Sequence, residues 1–320
     1  MNLRDASGTE SVRAQHLYCG NPDAPCFATL YTPLETRQRA PGWILCPPLG
    51  QERGNTHTLF ANWARALCAT GRPVLHFDYR GYGDSACAEE TCTLDDHIAD
   101  TLEVIRLHES LTGTQCGGLC GMRMGATIAA LTAEAVEHPL RLLLWDPIVD
   151  GSQYTHNLLR TSMATDLARG ARPVSCDQRR EQLKQGARLI ADGHVITGET
   201  FSAMATVDLL QRPPPDCALI IQCDKRPMTT LRPDLKKLVC AWETSTRIAT
   251  RHVQIPLPWQ LGPDYQPSPE PLFRPSLAWI DQNESADIAP EVPYGRHKVL
   301  APRGAFVGNV DVERPVNFKS

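Results

Sequence analysis

The segment Gly121-Met122-Arg123-Met124-Gly125 constrains the fold more than any other part of the chain. It joins an apolar run, Cys116-Gly117-Gly118-Leu119-Cys120, to a helical one, Ala126-Thr127-Ile128-Ala129-Ala130-Leu131. An apolar run without alternation predicts a strand buried on both faces, and the alanine-rich run predicts a helix. Joining them in so few residues requires a sharp turn, and the flanking glycines remove Cβ atoms that would obstruct it. Such a turn pushes its middle side chain, here Arg123, out beyond the carboxyl end of a sheet. A guanidinium stays protonated at any working pH and cannot act as a nucleophile.

Strands and helices alternate around this turn. Gly42 to Pro48 reads as a buried strand, followed by a helix capped at Asn55 or Thr56 with Leu59, Phe60, Trp63, Ala64 and Leu67 on one face. Pro73 to Tyr79 is the next strand, and a helix capped near Thr93 carries Leu94, Ile98, Leu102 and Ile105 before stopping at Gly113. Leu140 to Trp145 is again continuously apolar, as expected of a parallel sheet covered on both sides. The alternation breaks between Gly151 and about Gln211, where the pattern is helical and polar. It resumes with strands at Cys217 to Gln222 and roughly Arg247 to Leu257, then a helix around Leu277 to Ile280. Gln15 to Tyr18 and Cys26 to Tyr31 read as an antiparallel hairpin, and Lys298 to Leu300 and Ala305 to Val307 as edge strands or a dimer arm. The organisation expected is a core over 1–150 and 211–283, a helical cap insertion over 151–210, and a C-terminal extension over 284–320 of unassigned role.

Composition excludes several classes of function. A chain of 320 residues, 42% hydrophobic, can bury one large core, and a net charge of −4 gives no overall attraction for nucleic acid or an anionic membrane. No run of about eighteen apolar residues is present and the first residues lack a signal-type apolar segment, so a cytoplasmic protein without a membrane span is expected. The twelve cysteines include no Cys-x-x-Cys pair, and no histidines stand at zinc spacing. Reduced, half-buried thiols are expected, with no metal and no cofactor.

His76-Phe77-Asp78-Tyr79-Arg80-Gly81-Tyr82-Gly83-Asp84-Ser85, together with the Gly-x-Arg-x-Gly turn, resembles the α/β hydrolases over roughly residues 15 to 283. More narrowly, Pro47-Pro48-Leu49-Gly50-Gln51-Glu52-Arg53, the turn at Arg123, and Leu144 to Gly151 resemble the hydrolase-like proteins of bacterial exosortase and exopolysaccharide gene clusters. The resemblance implies an α/β-hydrolase fold, with a mostly parallel central sheet, flanking helices and a helical cap. It implies a nucleophile at position 123, where Arg123 stands instead. It also implies oxyanion donors from the backbone at Leu49 and Gly50 and at Met124, and an acid at Asp224 after the strand ending near Gln222. The base would follow the last strand, yet Pro258 to Tyr265 contains no histidine. His252 lies inside the preceding strand.

For Arg123 three readings stand. One is capture of a ligand anion beside a helix N-terminus. A second is internal neutralisation by Glu52, Asp146 or Asp224, since a buried unpaired charge costs several kcal/mol. The third is polarisation of a carbonyl while another group supplies the base. His57 is a candidate for that base, against the plain reading of a solvated helix-start histidine. Ser85 is expected to cap backbone groups, and Cys120 to be a small buried residue. Glu52 and Arg53 read either as a surface ion pair or as polar support for Arg123. The expected site is therefore Arg123, Asp224 and His57 as chemical groups, with Leu49, Gly50, Glu52, Arg53, Met124 and Asp146 around the ligand. Two functions follow: a pseudo-enzyme binding a small anionic or acyl-type ligand, a protein partner or a second copy of itself as a homo-oligomer; or an ester hydrolase or acyltransferase with displaced catalytic groups.

Overall fold

The computed structural model describes residues 12–34, 40–170, 172, 174–191, 194–213, 215–243, 247–262, 267–284 and 308–309. The chain opens with the hairpin β1 (Val12–Cys19) and β2 (Cys26–Pro33), then β3 (Gly42–Cys46) and α1 (Gly50–Cys68). Next come β4 (Val74–Phe77), α2 (Leu94–Thr112), β5 (Cys116–Met122), α3 (Met124–Ala133) and β6 (Arg141–Trp145). An insertion contributes α4 (Gly151–Ala168), α5 (Cys176–Lys184), the pair β7 (Leu189–Ala191) and β8 (His194–Ile196), and α6 (Gly198–Ala205). β9 (Cys217–Asp224), α7 (Pro233–Trp242), β10 (Arg247–Gln254) and α8 (Glu270–Glu284) follow, and β11 (Gly308–Asn309) pairs with β1.

The main sheet runs β10-β9-β6-β5-β3-β4-β2-β1-β11. β2 is antiparallel to both neighbours, and β4, β3, β5, β6, β9 and β10 pair in parallel. From β3 the chain steps to β4 on one side and then crosses to β5 on the other. In an open parallel sheet that reversal opens a crevice at the carboxyl ends of the strands, and the turn at Arg123 sits there.

Alternate residues of each strand feed two cores. One face packs Ile44, Leu75, Leu119, Leu142 and Ile220 against α2, α3, α4 and α7. The other packs Trp43, Leu143, Trp145 and Leu219 against α1 and α8, where Trp63, Trp145 and Phe273 meet at centroid distances of 5.3 and 4.9 Å. α2 begins and ends as its sequence predicts, with a Thr93–Asp96 capping box and Gly113 at φ 65°.

Two local expectations are corrected. α1 starts at Gly50, with Leu49 as its cap residue, five positions before Asn55; Glu52 and Arg53 therefore lie in its first turn. The insertion is not helical throughout, because β7 and β8 form a hairpin whose three-residue strands are too short to show a period in sequence. The edge strands expected at 298–300 and 305–307 lie outside the described residues. Among the described residues all twelve cysteines are free, no helix is long and apolar enough to cross a membrane, and no cluster of histidine, cysteine and carboxylate groups is arranged to hold a metal.

Candidate functional site

The site begins with backbone geometry. Arg123, between β5 and α3, has φ 55° and ψ −125°, a conformation that L residues adopt only at a cost of about 1–3 kcal/mol. The turn closes because its glycines permit close approach: a Cβ on Gly121 would lie 2.5 Å from the Gly125 carbonyl oxygen, and one on Gly125 2.2 Å from that of Pro47. The Arg123 N–H donates to the Trp145 carbonyl at 3.0 Å, tying the turn to β6. Just beyond β6, Asp146 is also left-handed, with φ 52°, and donates its N–H to Ile221 at 2.8 Å. Two strained residues at the ends of adjacent strands thus carry opposite charges toward each other.

Arg123 is closely partnered. Its Nε donates to Glu52 Oε1 at 3.1 Å and its Nη1 to Asp146 Oδ2 at 3.2 Å. The Trp259 ring lies across the guanidinium, 5.0 Å from Cζ to centroid. Burial would push the arginine pKa down, but Glu52 and then Asp146 more than offset it, so the pKa rises. The Arg123 side chain is 18% exposed, and among the described residues nothing accepts a hydrogen bond from Nη2. Tyr154 of α4 lies close enough to interact electrostatically, so the insertion borders the site.

Asp146 is fully buried and serves two arginines. Arg232, the residue before α7, donates from Nη1 to both Asp146 oxygens at 2.8 and 3.0 Å, and pairs also with Asp234. Burial again opposes the charge on Arg232 and Asp146 outweighs it, raising its pKa. The Cys223 N–H adds a long contact to Asp146 at 3.5 Å.

Asp224 stands apart from this cluster. Its Oδ2 is 2.5 Å from His252 Nε2 and accepts from Gln222 Nε2 at 2.6 Å. His252 pairs in register with Gln222 across β9 and β10, so its side chain shares a sheet face with Gln222 and with Asp224 two residues further on. Gln222 accepts from the Arg232 N–H at 2.7 Å, linking the two groups indirectly.

Among the three carboxylates considered as partners of Arg123, Glu52 and Asp146 are brought to it and Asp224 is held by His252. Glu52 and Arg53 do not pair: Arg53 turns to Asp78 at 2.6 Å. His57 is exposed and lies over the buried His76, with ring centroids 6.0 Å apart. Ser85 locks its turn, donating to the Asp78 carbonyl at 2.6 Å and accepting from the Phe27 N–H at 2.8 Å. Cys120 is fully buried and its thiol pKa is driven well up by burial, so no thiolate forms there. Leu49 is buried, Gly50 has φ 58°, and Met124 opens α3, where its N–H has no partner within the helix.

Sequence reasoning missed Trp259 and Arg232. Trp259 occupies the loop after the last strand, in the turn Pro258–Gln260, and Asn55 Nδ2 holds its carbonyl at 2.9 Å. Arg232 had one signal: Pro233 marks a helix start, and the residue before it stands at the carboxyl ends of the strands, where its N–H reaches Gln222.

Strand order, the turn at Arg123 and the inserted helices after β6 together decide the architecture. The fold is that of the α/β hydrolases. Solved structures agree. Est1E from Butyrivibrio proteoclasticus with ferulic acid bound is 15% identical with a TM-score of 0.61, covering 84% of this chain and 99% of that one. An esterase from Pyrococcus furiosus is 12% identical with a TM-score of 0.56, covering 86% and 92%. Mouse alpha/beta hydrolase domain-containing protein 10 is 16% identical with a TM-score of 0.51, covering 83% and 98%. Identities this low speak for the fold alone. No protein-family model and no curated protein sequence matches the chain.

Proposed function

We propose that the protein is a non-hydrolytic binding protein on the α/β-hydrolase fold, whose crevice takes a small acidic or acyl-type molecule without cleaving it. One observation carries this reading: Arg123 fills the elbow, held by Glu52 and Asp146 and covered by Trp259. A paired guanidinium cannot form an acyl-enzyme, and an indole in the loop after the last strand cannot accept a proton from a nucleophile. What remains is suited to recognition. Arg123 Nη2 and the Met124 N–H at the start of α3 are donors for a carboxylate, and Leu49 and Gly50 form the adjoining wall. The insertion over 151–210 acts as a cap over them. The motif resemblance to hydrolase-like proteins of exosortase and exopolysaccharide clusters favours an acidic, glycan-related ligand or a partner enzyme of envelope polysaccharide synthesis.

A second reading has its own observation. Asp224 is bonded to His252, so a histidine–carboxylate pair stands at the rim, and with Arg123 polarising a carbonyl it would activate water. In that case the base is His252 rather than His57.

The experiment is turnover of a short-chain aryl ester series beside thermal shifts with hexuronic acids, sugar phosphates and acetylated sugars. The binding reading expects no turnover above a denatured blank, and a ligand-induced rise in Tm that Arg123→Ala removes. Saturation at a hundred times Kd corresponds to about 2.7 kcal/mol of added stability. Ester turnover abolished by Arg123→Ala or His252→Gln would replace the binding reading with the hydrolytic one.

A further inference from the structure

The charge of this chain is unevenly distributed. Between Arg160 and Arg188 stand seven basic residues (Arg160, Arg169, Arg172, Arg179, Arg180, Lys184 and Arg188) and three acidic ones (Asp166, Asp177 and Glu181). That segment is therefore +4 within a chain of net −4, leaving −8 for the remainder. Four of the seven are neutralised: Arg179 by Asp166, Arg180 by Asp177, Lys184 by Glu181 and Arg188 by Glu90. Arg160, Arg169 and Arg172 are exposed, and among the described residues no carboxylate pairs with them.

Two of the unpaired arginines, Arg160 and Arg172, border an apolar groove. Arg160, Met163, Ala164 and Leu167 follow one another at helical spacing on α4, forming a single stripe. Gly151, Tyr154, Thr155, Leu158, Leu159 and Ser162 are the buried residues of that helix. Arg172 and Val174 close a groove of about 270 Å³ against the stripe, and Asp166, neutralised by Arg179, also lines it. Leu167 is 59% exposed. A helix normally turns an apolar stripe with this spacing toward a core, and here it faces outward with unpaired arginines at both ends.

We propose that this face of α4 is a peripheral docking surface for an anionic lipid bilayer. Leu167 enters the interfacial region, with Met163 behind it against Cys176 of α5, while Arg160 and Arg172 meet acidic headgroups. An apolar stripe flanked by arginines matches a bilayer surface, which offers negative charge and a hydrocarbon layer side by side. The remainder of the molecule, at −8, is repelled, and that orients the arginine face toward the membrane. The proposal does not depend on the role of Arg123.

The test is sedimentation of the full chain with vesicles of 30% phosphatidylglycerol in phosphatidylcholine, beside pure phosphatidylcholine, at low and high salt. The wild type is expected to sediment with the anionic vesicles at low salt, and to be released by high salt and by pure phosphatidylcholine. Arg160→Glu combined with Arg172→Glu should weaken binding by more than about fiftyfold, since each basic residue contributes roughly fivefold at such a surface. Leu167→Asp should weaken it about tenfold. All three positions are exposed, and circular dichroism and Tm show whether each variant keeps its fold. A folded double-reversal variant that binds like wild type overturns the proposal. So does a wild type indifferent to anionic vesicles; retention of that protein on polyglutamate would point instead to an acidic protein partner.

Discussion

Asp146 and Asp224 end adjacent parallel strands on the same rim of the sheet, yet their surroundings are opposite. Asp146 is fully buried between Arg123 and Arg232, in a left-handed backbone position, and Asp224 is 26% exposed beside His252. The position after β9, where the motif resemblance implies an acid, carries a carboxylate–histidine pair. The position after β6 has become the anchor of the elbow. A charge at the elbow that must be permanently balanced makes the neighbouring carboxylate structural, and a more exposed pair is left to chemistry or to solvent.

The strongest way to break that contrast is to remove Asp146. Asp146→Ala leaves two arginines facing each other in the crevice, and removing one partner of a buried ion pair costs about 3–5 kcal/mol. Urea unfolding at pH 7.5 measures it. A loss below about 1 kcal/mol would mean that Arg123 and Arg232 find other partners, and that Asp146 is not the anchor of the elbow.

Taken group by group, acid provides the next largest effect, and it comes from elsewhere in the core. Burial lowers the pKa of His76 and of His108 to about 4, from 6.5. Above pH 6.5 both are neutral whether folded or unfolded and have no effect on stability. Below it the unfolded chain takes up protons that the folded chain refuses, so stability falls as pH drops from 6.5 toward 4. At 1.36 kcal/mol per pH unit the loss approaches about 3 kcal/mol for each histidine. Urea titrations at pH 7.5, 6 and 5 should show the decline starting above the carboxylate range. His108→Gln should lower stability at pH 7.5 and reduce the slope. A flat profile between pH 7 and 5 would remove the histidines from the account.

Much of the fold is legible in the chain because continuous apolar strands and capped helices leave local signatures. Thr93 and Gly113 bracket α2 as read, and the turn at Arg123 stands out by its glycines alone. The site is less legible, because its contacts join distant segments. Nothing near Trp259 in sequence reveals that its ring covers an arginine 136 positions earlier. His252 was placed inside a strand correctly, but only the β9–β10 register shows that it stands beside Gln222 and reaches Asp224. Starting α1 at Asn55 hid that Glu52 occupies a first helical turn directed at the elbow.

Trp259 sharpens the contrast from the other side of Arg123. Trp259→Leu keeps an apolar side chain in the loop and removes the aromatic face, so the loss expected is about 1–2 kcal/mol, the worth of a partly desolvated cation–π contact. A double-mutant cycle with Arg123→Met isolates the coupling. Additive effects would mean that Trp259 merely fills space.

The smallest stability effect is expected at Asp224 and His252, where it is the most informative. Their side chains are 26% and 21% exposed, and partly solvated ion pairs contribute about 0–1 kcal/mol. His252→Gln and Asp224→Asn should therefore leave urea midpoints nearly unchanged, unlike Asp146→Ala. Under the proposed function, the effect of the pair is expected in ligand binding or turnover. If His252→Gln destabilises the chain as much as Asp146→Ala does, the pair is structural too, and the rim holds two anchors instead of an anchor and a working group. If it leaves stability unchanged but removes a ligand-induced shift in Tm, the division of labour between the two carboxylates stands.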